Sequence, residues 1–304
     1  PLLYALGFAI LFALGGMTGI MLAQPGIDYQ VHNTQFLVAH FHNVLVPGTL
    51  FGMLAGYHFW FPKAFGFRLD ERWGVISAVC WIVGFALAFF PLYGLGLLGY
   101  PRRHLGYFDP IFQPYMIVAL IGAVVVLIAL ASLAIQLVVS ILRREDYAVP
   151  VGDPWDGRSL EWSVAAPPPA YNFAVLPQVT SIDTFTHAKE TGTAYRTPLE
   201  YHDILMPRNS AMGMIVCVSG GLIAFGLVWY LWWLAVLGLV VAFAAALGRG
   251  FARDVEYVIP AREVAKAHQR WLDMVAAARP VSRNQEAVPA NAGLAAHPVM
   301  DAAE

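Results

Sequence analysis

The sequence predicts an all-α integral membrane protein, a bundle of about six transmembrane helices. Hydrophobic residues make up 59% of the 304 and charged residues only 12%, about half the charge fraction of a soluble domain. The apolar residues are gathered into runs of about 20 or more, the length that carries a helix across the hydrocarbon core. Tryptophan, arginine and lysine collect at the ends of those runs, as interfacial anchors do.

The first run, 2–23, opens "PLLYALGFAI" without a methionine or a basic leader. It is read as a helix joined part-way rather than a signal peptide, with more chain expected upstream. The second, 34–61, would be about 42 Å long if helical throughout, enough to cross with both ends among headgroups. Runs at 74–99 and 114–142 follow. A last apolar stretch divides into 211–229 and 232–248 at "WYLWWL", an aromatic belt around a tight turn. Four spans thus occupy 1–142 and two more 211–250. Between them, 143–210 holds "GDPWDGRSLEW" and "APPPAYNFAVLP", whose prolines exclude long regular elements and indicate an extramembrane loop segment. In the tail, 251–304, a surface helix is expected at 260–278 and disorder beyond it.

Positive charge marks cytoplasmic loops. Lys63, Arg68 and Arg72 follow the second span, Arg143 and Arg144 the fourth, and Arg249 and Arg253 the sixth. These loops alternate onto one face, so the C-terminus is placed in the cytoplasm. Arg102 and Arg103, between the third and fourth spans, fall on the outer face and break the rule. The net charge of −2 gives no basic field for nucleic acid, and Cys80 and Cys217, each inside an apolar run, suit inert buried thiols.

Within the second span, "VHNTQFLVAHFHNVLVPGTLFGMLAGYHFW" (31–60) carries His32, His40, His42 and His58. An ionisable side chain in hydrocarbon is costly and is a functional hypothesis by default. Successive helical residues turn by about 100°, so His40 and His42 diverge by roughly 200° and cannot chelate one metal together. Two ligands on opposite faces suggest two cofactors flanking one helix, with Phe41 beside both. The plainer alternative is a pair of core histidines bonded to neighbouring helices. A single imidazole per helix suits haem iron, which takes one or two axial ligands; zinc or copper needs three or four converging on a point. The forks of Arg102 and Arg103 on the outer face would match haem propionates, unless they are an ordinary solvated pair. His32, in "DYQVHNTQ", could join a metal or propionate network with Asp28 and Asn33. His58, beside Trp60, is read as interfacial anchoring.

"GGMTGIMLA", "VHNTQFLVAHFHNVL", "GYHFWFPKAFG" and "PRRH" together resemble the C-terminal part of subunit I of the haem–copper oxidases, and most of all the cytochrome bo-type ubiquinol oxidases. The later "GDPWDGRSLEWSVAAPPPAYNFAVLP" and the two further spans fit that branch, so the resemblance runs over nearly all of 1–275. It implies that His40 is the axial ligand of a high-spin haem of o or a type, where oxygen binds. By the same resemblance His42 is one ligand of a low-spin haem, of b type in that branch, Phe41 is the ring between the haems, and Arg102 and Arg103 contact propionates. His32 matches a residue of the outer-face metal and water region, where Asn33 replaces the aspartate usual in cytochrome c oxidases. With Asn43, that points to the quinol branch.

The resemblance also implies copper, a second low-spin ligand and quinol- and proton-handling residues, all on earlier helices of the subunit. The chain is therefore expected to be a fragment or one half of a split subunit that does not catalyse alone. Its expected partners are the N-terminal part of subunit I, subunits II and III, a small subunit and the bilayer of a bacterial inner membrane. The activity implied is oxidation of ubiquinol, reduction of oxygen to water and outward proton pumping. Three rivals stand beside it: a cytochrome c oxidase subunit I, a transporter with a histidine proton relay, and a non-catalytic assembly segment.

Overall fold

The computed structural model describes residues 1–104, 106, 109–179 and 181–277. The end of the tail, with its expected disorder and His297, lies outside the described residues. The described residues form two units: 1–169 with 179–196 and 273–277, and 170–178 with 197–272.

The first unit is helical. Helix α1 spans Leu2–Ala23 and α2 Pro25–Val31, with Pro25 at a first-turn position where its missing N–H costs nothing. Helix α3 spans Gln35–Leu45. It starts where the Thr34 hydroxyl accepts the Phe36 N–H at 3.2 Å, satisfying a donor that the first turn leaves free. A π-helical stretch, Val46–Phe51, joins α3 to α4, Gly52–Phe65. Pro47 there has no N–H to give an i−4 carbonyl, and the wider turn absorbs the break without ending the span. Gly66, with φ of 77°, closes α4 in the left-handed conformation glycine adopts freely. Helix α5 spans Glu71–Leu97, capped by Asp70 accepting the Trp73 N–H at 3.0 Å. Helix α6 spans Gln113–Leu142, and the short α7 Thr184–Glu190.

Five described helical segments are long and apolar enough to cross a membrane: Leu2–Ala23, Gln35–Phe65, Glu71–Leu97, Pro110–Leu142 and Trp232–Gly250. The third begins three residues earlier than the sequence pattern suggests, because the Asp70 cap and not the first apolar residue sets its start. The core packs Tyr4, Leu11, Phe51, Leu54, Ala78, Trp81, Phe85 and Ala129. Helices α5 and α6 meet through small residues, as membrane helices do when packing rather than water drives association. A Cβ on Gly122 would fall onto the backbone of Ala88.

The polar connections sort to opposite ends of this unit. At one end Arg68 N–H donates to Tyr147 O and Val149 N–H to Gly66 O, both at 2.8 Å. The Lys63 ammonium donates to Val164 O at 2.5 Å and the Trp155 indole to Phe59 O at 2.9 Å. Residues 143–169 thus dock on the α4–α5 turn around the buried Trp162. At the other end Gln35 N–H donates to Tyr100 O at 2.9 Å and Arg102 N–H to Asn33 O at 3.0 Å. His58 does not anchor at the interface. It is buried, with Nδ1 at 2.8 Å from Leu54 O and Nε2 at 3.0 Å from the Gln136 amide oxygen. Five residues before Lys63, the turn still faces α6, which a membrane-depth count along the sequence does not reveal.

In the second unit, α8 (Met212–Val228) and α9 (Trp232–Gly250) form a hairpin turned at Tyr230, whose φ is 56°. Gly226 of α8 admits the backbone of Ala235, and Gly238 of α9 that of Ser219. Helix α8 has 17 residues, about 25 Å, a little short of the roughly 30 Å core. Strands β1 (Ile204–Pro207) and β2 (Glu256–Ile259) pair antiparallel. Helix α10, Ala261–Ala277, starts where Asp203 accepts the Ala261 N–H at 2.7 Å.

Candidate functional site: the histidines of α3

His40 and His42 leave α3 toward different neighbours. His40 faces α1, where its Nδ1 lies 3.1 Å from Gly15 O and 2.9 Å from Thr18 Oγ1. A Cβ on Gly19 would come within 2.9 Å of His40 Cε1, so the glycine leaves space for the imidazole. His42 faces α5, its ring stacked on Phe89 at 4.4 Å between centroids, with Phe41 4.3 Å away on the same helix. Its Nδ1 is 2.8 Å from Val38 O.

The partners decide the tautomer. A backbone carbonyl only accepts, so a nitrogen bonded to it must carry the proton. In its neutral form each ring therefore holds hydrogen on Nδ1 and presents its lone pair at Nε2. Neither Nε2 has a hydrogen-bond partner among the described residues. Metal-binding histidines are prepared in the same way, with the far nitrogen donating to a carbonyl or carboxylate that fixes the ring. No group of three or more His, Cys, Asp or Glu side chains converges on a metal among the described residues. A site drawing one imidazole from each face fits a haem and does not by itself fit zinc or copper.

At the end of the bundle where α3 begins, Asn33 (φ 56°) and Arg103 (φ 66°) both take left-handed backbone, and Thr34 bridges Pro101. This brings the turn carrying Arg102 and Arg103 against the start of α3. Arg103 is exposed, whereas Arg102 Nε is buried without a hydrogen-bond partner among the described residues. A buried guanidinium nitrogen left unpaired is costly, and a carboxylate would satisfy it. His32 pairs with Asp28 at 3.2 Å, its side chain 60% exposed. Asn33 lends its carbonyl to Arg102 rather than its amide to a cluster.

Sequence reasoning missed the partners of His40. Thr18 Oγ1 lies 3.1 Å from Tyr93 Oη on α5, and the Tyr93 ring packs edge-on to Phe36 at 4.9 Å. Asn43, 1% exposed, has one amide orientation that satisfies both its ends. Its oxygen then accepts from Tyr93 Oη at 3.2 Å and Gly15 N–H at 3.3 Å, and its nitrogen donates to Leu11 O at 3.3 Å. A threonine in the otherwise apolar "GGMTGIMLA" was the available signal.

Residues 1–125 match the family described as Cytochrome C and Quinol oxidase polypeptide I. Over 270 residues the chain is 47% identical to a probable cytochrome c oxidase subunit 1 of Bradyrhizobium diazoefficiens, covering 88% of this chain and 40% of that protein. It is 47% identical over 267 residues to ubiquinol oxidase subunit 1 of Acetobacter aceti, covering 86% and 40%. Against cytochrome bo(3) ubiquinol oxidase subunit 1 of Buchnera aphidicola it is 43% identical over 274 residues, covering 89% and 41%. The chain spans about two fifths of the length of these curated relatives.

Proposed function

We propose that this chain, which matches the haem–copper oxidase subunit I family, contributes haem ligands to the catalytic subunit of a ubiquinol-oxidising, proton-pumping terminal oxidase. One observation carries the reading. Two imidazoles on one helix face different neighbours, each with Nδ1 held as a donor and Nε2 without a hydrogen-bond partner among the described residues. His40 offers its Nε2 to a high-spin haem of o or a type and His42 to a low-spin haem of b type. Phe41 lies between them. Arg102 and Arg103 hold propionates, the buried Nε of Arg102 gaining the acceptor it lacks, and His32 and Asn33 border the outer-face polar network. When bound, the haems and copper supply the redox chemistry that takes electrons from ubiquinol to oxygen, forming water while protons move outward.

The chain's own residues orient ligands, exclude water around them and place positive charge at the outer end. Copper ligands, the second low-spin ligand and the quinol site come from other helices of the subunit, so the chain works only with its N-terminal part, subunits II and III and a small subunit. Domain by domain, 1–142 supplies four spans, 143–210 a cytoplasmic loop segment and 211–250 two further spans, the sixth crossing being completed by the 17-residue α8 with its aromatic flanks. The tail, 251–304, lies in the cytoplasm, beneath a bacterial inner membrane. The donor is assigned as a quinol on Asn33 and Asn43, while relatives bearing the names of both cytochrome c and quinol oxidases match equally well.

The test uses the complete complex. His40→Ala should abolish carbon monoxide binding and keep the low-spin signal in the reduced-minus-oxidised spectrum; His42→Ala should do the reverse. A complex without haem, or loss of both signals from either change, would overturn the assignment. Oxygen uptake with ubiquinol rather than reduced cytochrome c confirms the donor, and the opposite preference moves the chain to the cytochrome c oxidases.

A further inference from the structure

The polar side chains around His40 are linked to one another across three helices. Asn43, in the orientation that satisfies both its ends, presents its oxygen to Tyr93, so the phenol proton is spent there. The 3.1 Å contact between Thr18 Oγ1 and Tyr93 Oη is then a hydrogen bond only if Thr18 donates. Thr18 Oγ1 also lies 2.8 Å from Gly15 O, but a hydroxyl has one proton. Gly15 O and Tyr93 Oη therefore compete for that one proton, and with either partner the hydroxyl oxygen keeps lone pairs that can accept from His40. With the Thr18 proton on Tyr93, the His40 Nδ1–H at 2.9 Å finds an acceptor in Thr18.

We infer that Thr18 and Tyr93 are positioning residues for His40, forming with Asn43 a chain of polar contacts from Nδ1–H through Thr18 and Tyr93 to the Asn43 carbonyl. The inference rests on His40 being a haem ligand. Each member comes from a different helix, α3, α1 and α5 in turn, and the chain returns to α3 at Asn43, so the imidazole plane is fixed against the whole bundle rather than by Gly15 alone. Hydrogen bonds in such a chain polarise one another. A donor held by a second-shell acceptor makes its ring a better ligand at the far nitrogen, so the chain also strengthens whatever bond Nε2 forms.

The test is the iron–histidine stretching band of the reduced high-spin haem, measured by resonance Raman on the complete complex. Thr18→Val leaves Nδ1–H with Gly15 O alone and should move the band to lower wavenumber and broaden it. Tyr93→Phe, which deletes one oxygen and keeps the ring on Phe36, should give a smaller shift in the same direction. Thr18→Ser should restore the band of the unaltered complex. Unmoved bands in Thr18→Val and Tyr93→Phe would overturn the inference. Failure of Tyr93→Phe to assemble would overturn it too, because the oxygen would then hold helices together rather than orient a ring. Absence of any iron–histidine band in the unaltered complex refutes instead the assignment of His40 as a ligand, so the two failures are told apart.

Discussion

Lys189 of α7 is the cation that holds the turn at 153–157. Its ammonium donates to Asp153 Oδ2 at 2.5 Å, Asp156 Oδ1 at 2.9 Å and Gly157 O at 3.0 Å, with its side chain 4% exposed and that of Asp153 fully buried. Asp153 also accepts the Gly157 N–H at 2.6 Å. Lys189→Met keeps the length of the side chain and deletes the charge, stranding a buried carboxylate, a change that costs about 3–5 kcal/mol. At about 1.4 kcal/mol per decade, the local opening equilibrium should rise by roughly two to three and a half decades. The assay is amide hydrogen exchange over 150–162 and 184–190 in the purified complex. Lys189→Met with Asp153→Asn should recover much of the loss, since no charge is then stranded.

The pH dependence has a definite sign. Burial pushes the Asp153 carboxyl above its ordinary value, against the opposing pull of the Gly157 N–H and Lys189. An acid raised in the folded state binds more protons there than in the unfolded chain. Stability therefore falls as pH rises from the ordinary carboxylate value through the folded one. Without Lys189 the folded value goes higher still, so the deficit of Lys189→Met should be full at neutral pH and shrink on acidification. Exchange unchanged at neutral pH, or a deficit that grows as pH falls, would refute the buried-pair account.

Two further predictions concern the helices. Arg102→Gln removes a cation from the outer end and should lower the midpoint potential of a nearby haem with haem content unchanged, because the reduced form carries one more negative charge. Spectroelectrochemical titration reads this, and an unaltered potential would argue against the propionate role. Gly122→Leu forces a side chain onto the Ala88 backbone and should destabilise the α5–α6 contact by at least the 1–3 kcal/mol typical of overpacking. Thermal loss of the complex's absorbance measures it, and an unchanged midpoint would mean the two helices are free to part.

The spans were legible because lipid leaves a backbone few alternatives to helix, so apolar length alone located α1, α6 and α9 to within a residue or two. The opposed faces of His40 and His42 were legible for a similar reason: two positions on a 3.6-residue helix fix an angle whatever surrounds them. What each imidazole touches was not. Thr18 and Tyr93 stand 22 and 53 residues from His40 in the chain, and only the packing of α1 and α5 on α3 gives them a role. The same limit explains His58, whose partner Gln136 sits on α6, and Lys189, whose partner Asp153 lies across a proline-rich segment with no periodic pattern to fix its course.

That limit also separates the two histidines in kind. Among the described hydrogen bonds, His42 is held by a carbonyl one turn back on its own helix, a bond that needs no other element, although its ring also stacks on Phe89 of α5. His40 is held by α1 and, through Thr18, by α5, so its orientation depends on tertiary packing. A shift of α1 against α3 should therefore disturb the ligand proposed for the oxygen-binding haem before it disturbs the other. Gly19→Ala offers that perturbation, since its Cβ would meet His40 Cε1 at 2.9 Å, tighter than ordinary contact. Carbon monoxide binding should fall while the low-spin spectrum stays. Equal damage to both signals would mean that the two rings share a support the helix contacts do not reveal.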